Sequence, residues 1–233
     1  MAGRRLAGPR FPDDDGSAGP QVTAALAAYA AGQGSEHAVL AALDSARLMV
    51  PVVALPAAED APGPDGLRRE KSSEMALPTV IGGDGRAALP AFTSAASLAR
   101  WRPGARPVPV PAAQVWQSGA SDASAVVIDI AGPVPFAVDG ARLAALAQGR
   151  PPPLPHEDPD VTALAHETLA AEPVIAGYRL QPGTDGTDLT LVLVPVPGHG
   201  PGEVRDAAQR AGQRLMGGAG DRLRRGIQVA VAG

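Results

Sequence analysis

Along this chain the hydrophobic positions change period several times, and each change predicts an element. Val22, Leu26 and Tyr29 recur at helical spacing, and Val39, Leu40 and Leu43 do so again after Ser35, a residue suited to capping. Arg47 to Leu55 reads as a strand in which Pro51, lacking a backbone donor, points to an edge or a bulge. Residues 56–68, rich in Ala, Pro, Asp and Gly, read as a loop. Met75 to Ile81 and Ala87 to Phe92 read as strands joined by a hairpin turn through Gly82, Gly83, Asp84 and Gly85. Thr93 or Ser94 then caps a helix carrying Leu98 and Trp101 on one face. RPVPVP (106–111) is extended, 111–117 is a short helix, and the Ser, Gly and Ala of QSGASDAS (117–124) read as a loop. Ser124 to Ile130 is apolar enough for a central strand, with Val134 to Val138 pairing to it before a helix over Arg142 to Gln148.

The three prolines in GRPPPLP (149–155) stiffen the backbone and mark a boundary. Beyond it Asp160 caps a helix bearing Val161, Leu164 and Thr168. Pro173 to Leu180 and Asp188 to Val196 read as strands around the turn PGTDGT. A helix follows from Gly202 to Met216, with Val204, Ala208, Ala211 and Leu215 as its stripe and Gly217 and Gly218 ending it. A turn of helix over Asp221 to Arg225 leads to a last strand in which Ile227, Val229 and Val231 alternate. Strands followed by helices and a return strand predict an α+β fold: two small domains with mixed or antiparallel sheets covered by helices. The expected organisation is an unstructured tail at 1–20, a first domain at 21–148, a Pro-rich linker at 149–159 and a second domain at 160–233.

Composition narrows the chemistry. Aromatics are only 3% of the 233 residues against 45% hydrophobic, so Val, Leu and Ala must build the core. A net charge of −4 offers no general attraction to nucleic acid or anionic lipid. The absence of cysteine removes disulfides and thiolate catalysis. With no signal-peptide core at the start and no apolar run of membrane-spanning length, the expectation is a cytoplasmic protein.

Candidate sites each have a bland competitor. His156, His166 and His199, with Glu157, Asp158, Asp160 and Glu167, lack metal-motif spacing and read better as a solvated acidic segment. Gly198, His199, Gly200 and Gly202 open a helix whose amides suit a phosphate, but Glu203 in the first turn opposes it. QSGASDAS lacks the strand-to-helix elbow of a nucleophilic serine. Asp129, within an apolar strand, is either a buried carboxylate near a site or a group that faces solvent or an arginine. Arg210, Arg214, Arg222, Arg224 and Arg225 form a basic stretch that lacks an aromatic platform for RNA. No cofactor motif emerges.

Of the 20 basic residues only Lys71 is a lysine, and asparagine is absent, as a GC-rich coding sequence would produce. A lysine supplies a compact ammonium, or an amine whose pKa falls on desolvation, and guanidinium does neither. Around it Arg68, Arg69, Glu70, Lys71, Ser72, Ser73 and Glu74 gather three cations, two hydroxyls and two carboxylates between a loop and a strand. The segments ARLMVPVVAL (46–55), REKSSEMALPTVIGGDGRAALPAFTSAASLARW (69–101) and AVVIDIAGPVPFAV (125–138) resemble, in order, the SseB family, the enhanced serine sensitivity proteins, in the form seen in high-GC bacteria. EPVIAGYRL, LTLVLVPV and RRGIQVAV resemble its second domain. The resemblance implies a cytoplasmic two-part protein linked to amino-acid tolerance. The reading that follows is a non-catalytic binding or regulatory module whose contact surface includes Arg69, Lys71, Ser72, Ser73 and Glu74, and whose partner is a protein or a small amino-acid-like ligand. The alternative is an enzyme of amino-acid metabolism with Lys71 as base or imine former, assisted by Asp129 or Glu74.

Overall fold

Helical and extended patterns resolve into an α+β fold in the computed structural model, which describes residues 11–54, 75–76, 78–184 and 186–232. The chain divides into two units, one of Met1–Ala27 with Leu40–Arg150 and one of Ala28–Val39 with Pro151–Gly233. Among the described residues no helix is long and apolar enough to cross a membrane.

In the first unit, α1 (Pro20–Ala30) buries Val22 and Leu26. In α2 (Glu36–Asp44), Leu40 and Leu43 are buried, and the Oγ of Ser35 accepts the Ala38 N–H at 3.1 Å ahead of them. Strand β1 (Arg47–Ala54) pairs antiparallel with β2 (Met75–Ala76) and with β5 (Arg106–Pro111). The expectation of an edge or a bulge at Pro51 is corrected, because β1 is central in the order β2-β1-β5 and its register with β5 is continuous. Proline is tolerated there since β2 reaches only Val53 and Ala54, while Met49 bonds Phe92 on the same side. A four-stranded sheet runs β3 (Val80–Ile81), β4 (Ala87–Ala91), β6 (Ala125–Ile128), β7 (Phe136–Asp139). The single strand expected over Met75–Ile81 is thus two, in different sheets, interrupted by Pro78.

Parallel pairing of β4 with β6 demands a crossover, supplied by α3 (Ala95–Trp101), β5 and α4 (Ala112–Asp122). Ser94 caps α3, its Oγ accepting the Ser97 N–H at 3.0 Å. Helix α4 continues through Asp122, so residues 117–122 are helical rather than the loop expected. Packing overrides the weak propensity of Ser and Gly here: Gly119 is buried, and a Cβ on it would lie 2.3 Å from Val126 Cγ2 of β6. Trp116 is wholly buried and donates its indole N–H to Asp44 at 3.0 Å. Helix α5 (Gly140–Ala147) adds Leu143 and Leu146 to the core.

The second unit has the sheet order β10-β9-β8, from β8 (Ile175–Pro182), β9 (Leu189–Pro195) and β10 (Ile227–Val231). Leu191 and Leu193 of β9 meet Ala165 and Leu169 of α6 (Pro159–Ala170) and Ala211 and Leu215 of α7 (Pro201–Ala219). Asp158, not Asp160, caps α6, since Pro159 takes the first helical position and one Asp158 oxygen receives the Asp160 N–H at 2.8 Å. Helix α7 runs past Gly217 and Gly218, which were expected to end it. Gly218 is a contact glycine instead: its Cβ would fall 2.8 Å from Leu164 Cδ2 of α6. The turn comes at Gly220, with φ +57°.

The glutamate after α6, Glu172, is 4% exposed, and Arg210 of α7 grips both its oxygens, at 3.1 and 2.6 Å. That bond outweighs burial and holds the carboxyl below its ordinary value near 4.5. A depressed folded-state value means that the stabilisation is present above pH 4.5 and is lost as pH falls through the lower folded value. Urea unfolding followed against pH should show this acid loss, and Glu172→Gln should remove it at a cost of about 1 kcal/mol at neutral pH. Arg210→Ala should destabilise more than Glu172→Gln, because it strands a buried charge. Gly119→Ala should cost about 1–3 kcal/mol by overpacking, read in the same unfolding measurement.

Candidate functional site

Strands β4 and β6 run in one direction and therefore end at the same edge of the sheet, the position where open parallel sheets place ligands. The chain leaves β4 through Phe92 and Thr93 and leaves β6 through Asp129. Asp129 is 4% exposed and stands at φ +50°, a left-handed conformation that aspartate tolerates better than most residues. Its N–H bonds Ala91 O at 2.9 Å and its carbonyl accepts Gly132 N–H at 2.7 Å, which turns the side chain back over β4. One carboxylate oxygen accepts the Thr93 N–H at 2.9 Å and the other the Thr93 hydroxyl at 2.6 Å.

Arg47 completes the cluster. The pair of backbone bonds between Met49 and Phe92, at 2.7 and 2.8 Å, brings the start of β1 beside Thr93, whose carbonyl accepts from Arg47 Nη1 at 2.7 Å. The rest of the guanidinium faces the segment preceding α1. Nε and Nη2 engage the two carboxylate oxygens of Asp14, Nη2 at 2.6 Å, and Nη2 also donates to Ser17 O at 2.6 Å. Both side chains are largely buried, at 13% exposure for Arg47 and 9% for Asp14. Arg47 holds the Asp14 carboxyl below the usual carboxylate range. Beside them lies a cavity of about 460 Å³ lined by Phe11, Pro12, Asp13, Ser17, Ala46 and Arg47 among others. Chemically the arrangement is a two-pronged carboxylate clamp on a rigid strand end.

Arg69, Lys71, Ser72, Ser73 and Glu74 lie outside the described residues. Their segment is rooted where Ala54 pairs with Met75. Asp129 is buried, but its partner is Thr93 rather than an arginine. Among the described residues no three His, Asp or Glu side chains gather as a metal set. His199 bonds Glu203 at 3.2 Å, and the same Glu203 oxygen accepts the Gly200 N–H at 3.0 Å, so α7 meets its own carboxylate at the helix end that would suit a phosphate. Of the basic stretch, Arg210 is held by Glu172, and Arg222 by Asp158 and Asp160. Arg225 donates to the carbonyls of Gly34 and Tyr29 and stacks 4.2 Å over the Tyr29 ring. Sequence reasoning passed over Arg47, Asp14 and Thr93. The available signal was an arginine opening an apolar strand, with three successive aspartates upstream to pair with it.

Asp129→Ala should cost about 2–4 kcal/mol, since it strands the Thr93 N–H and hydroxyl and forces alanine to a positive φ. Asp129→Asn should cost less, keeping one acceptor and a residue suited to that φ. Chemical denaturation of the two variants checks the order.

A family model for the SseB protein N-terminal domain matches residues 22–145, more than half of the chain. The match takes in Arg47, Thr93 and Asp129 and begins after Asp14. No curated protein and no solved structure matches the chain. With most of its first unit within that match, the chain belongs to the SseB family.

Proposed function

We propose that the chain is a non-catalytic binding or regulatory module of the cytoplasm, linked to amino-acid (serine) tolerance. Its contact surface is the segment containing Arg69, Lys71, Ser72, Ser73 and Glu74, and its partner is a protein or a small amino-acid-like ligand. The observation that carries this reading is the register at the root of the segment. Val53 pairs with Ala76 and Ala54 with Met75, so the two residues that flank 55–74 in the sequence are neighbours in the sheet. Glu74 directly precedes the paired Met75, and Lys71 stands three positions before it. A polar stretch of both charge signs anchored at a strand end suits recognition of a complementary charged group. Asp129, the assistant in the enzymatic alternative, spends both oxygens on Thr93, which favours binding over chemistry at Lys71. The proposal takes 160–233 as the family's second domain.

Pull-downs from the native cells should capture a partner with the wild-type chain that Lys71→Glu fails to capture, once both proteins are shown to melt alike. Identical captures by the two proteins, together with unchanged thermal shifts across a panel of amino acids, would overturn the assignment of this segment.

A further inference from the structure

We infer that the Arg47 pocket of the first unit is a binding site for a small carboxylate, covered by residues 11–19 as a displaceable strap with Asp14 standing in the ligand's place.

The receptor half is independent of the strap. Arg47 opens β1, its Nη1 is fixed on Thr93 O at 2.7 Å, and Thr93 is itself fixed by Asp129. Lifting residues 11–19 would therefore leave the guanidinium in position, with Nε and Nη2 turned toward the vacated place. A planar guanidinium presenting one edge in this way is preorganised for a carboxylate, and Asp14 already occupies that edge in two-pronged form.

The strap half is thinly attached. Apart from the Thr23 N–H and hydroxyl on Gly19 O, at 3.0 and 3.1 Å, which root the strap in α1, its hydrogen bonds to the rest of the unit, among those described, are the Asp14 carboxylate to Arg47, Ser17 O to Arg47 Nη2, and Gly16 O to the Ala95 N–H at 2.8 Å. Other bonds are internal: Gly16 N–H to Asp14 at 2.8 Å, and Ser17 N–H and hydroxyl to Asp15 at 2.8 and 2.6 Å. Arg47 thus supplies most of the attachment. Docking also depends on Gly16, which sits at φ +79° with its Cβ position 3.1 Å from Ala95 Cβ. A strap carrying its own carboxylate raises the apparent dissociation constant for a free one to the intrinsic value divided by the fraction of time that the strap is undocked.

The test uses the full chain, its Asp14→Ala and Gly16→Ala variants, and Asp14→Ala combined with Arg47→Lys, each checked for native circular dichroism. An aspartate-directed endoproteinase reads strap release, because Asp13 and Asp15 remain in every variant. Acetate and L-glutamate, titrated at constant ionic strength and followed by NMR, read the site, with chloride as the control anion. Cleavage in the strap should speed up by about ten-fold or more in Asp14→Ala and Gly16→Ala, and acetate should bind Asp14→Ala about ten-fold more tightly than wild type. Arg47→Lys should abolish that gain. If Asp14→Ala does not fold, Gly16→Ala, which keeps both ionic partners, decides the question by the same two readings. Unchanged cleavage, release without a gain in acetate or glutamate binding, or a gain that chloride matches would each overturn the proposal.

Discussion

Thr93 is the residue on which the first unit closes. Its N–H and hydroxyl are taken by Asp129 at the end of β6, and its carbonyl by Arg47 at the start of β1. These bonds sit at 6% exposure, where an unmade donor or acceptor costs about 1–3 kcal/mol, so the three strands share one set of obligations. The bridge between Met49 and Phe92 fixes the spacing that allows it, and Phe92 carries the apolar side of the same joint, packed with Met49, Leu98 and Ala105. Burying an aspartate and an arginine in a core poor in aromatics is tolerable because every charged atom there meets a complementary one.

The second unit solves its electrostatics differently. Its arginines are set at the rims of the helices and tied to nearby acids or carbonyls, as Arg210 is to Glu172 and Arg222 to Asp158 and Asp160. Arg225 reaches two carbonyls and a tyrosine face, using the whole guanidinium plane. What reads in the sequence as a basic surface is in large part internal bracing, so the positive excess of residues 201–233 is smaller in effect than in count.

Much of the fold was legible because helical and alternating periods are strong where the core is aliphatic. Val22 and Leu26, Leu40 and Leu43, and the stripe of α7 all lie where their spacing puts them. Two misreadings of helix extent share one cause: Gly119 and Gly218 have low helix propensity, and only tertiary packing, against the Val126 methyl and the Leu164 side chain, shows why they stay helical. The split at Pro78 required knowing that two sheets compete for Met75–Ile81. Of the candidate site, the apolar flanks of Asp129 left burial and exposure both open, and its pairing with Thr93 spans 36 positions and leaves no local trace. The charge of Arg47 is visible in the sequence, but its partner lies 33 residues upstream in a stretch that composition marks as tail.

The pairing pattern also sets an order of events when the chain folds. β1 finds β5 only after roughly fifty intervening residues have been gathered in, and β4 meets β6 in parallel across a whole crossover, both slow closures for a polymer. β8 and β9 need only a short hairpin turn, and β9 and β10 are separated by little more than one helix. The second unit can therefore nucleate locally while the first is still searching. Until β5 arrives, the apolar strand Arg47–Ala54 is left with an open edge, and a nascent chain is most vulnerable to misassociation through that strand.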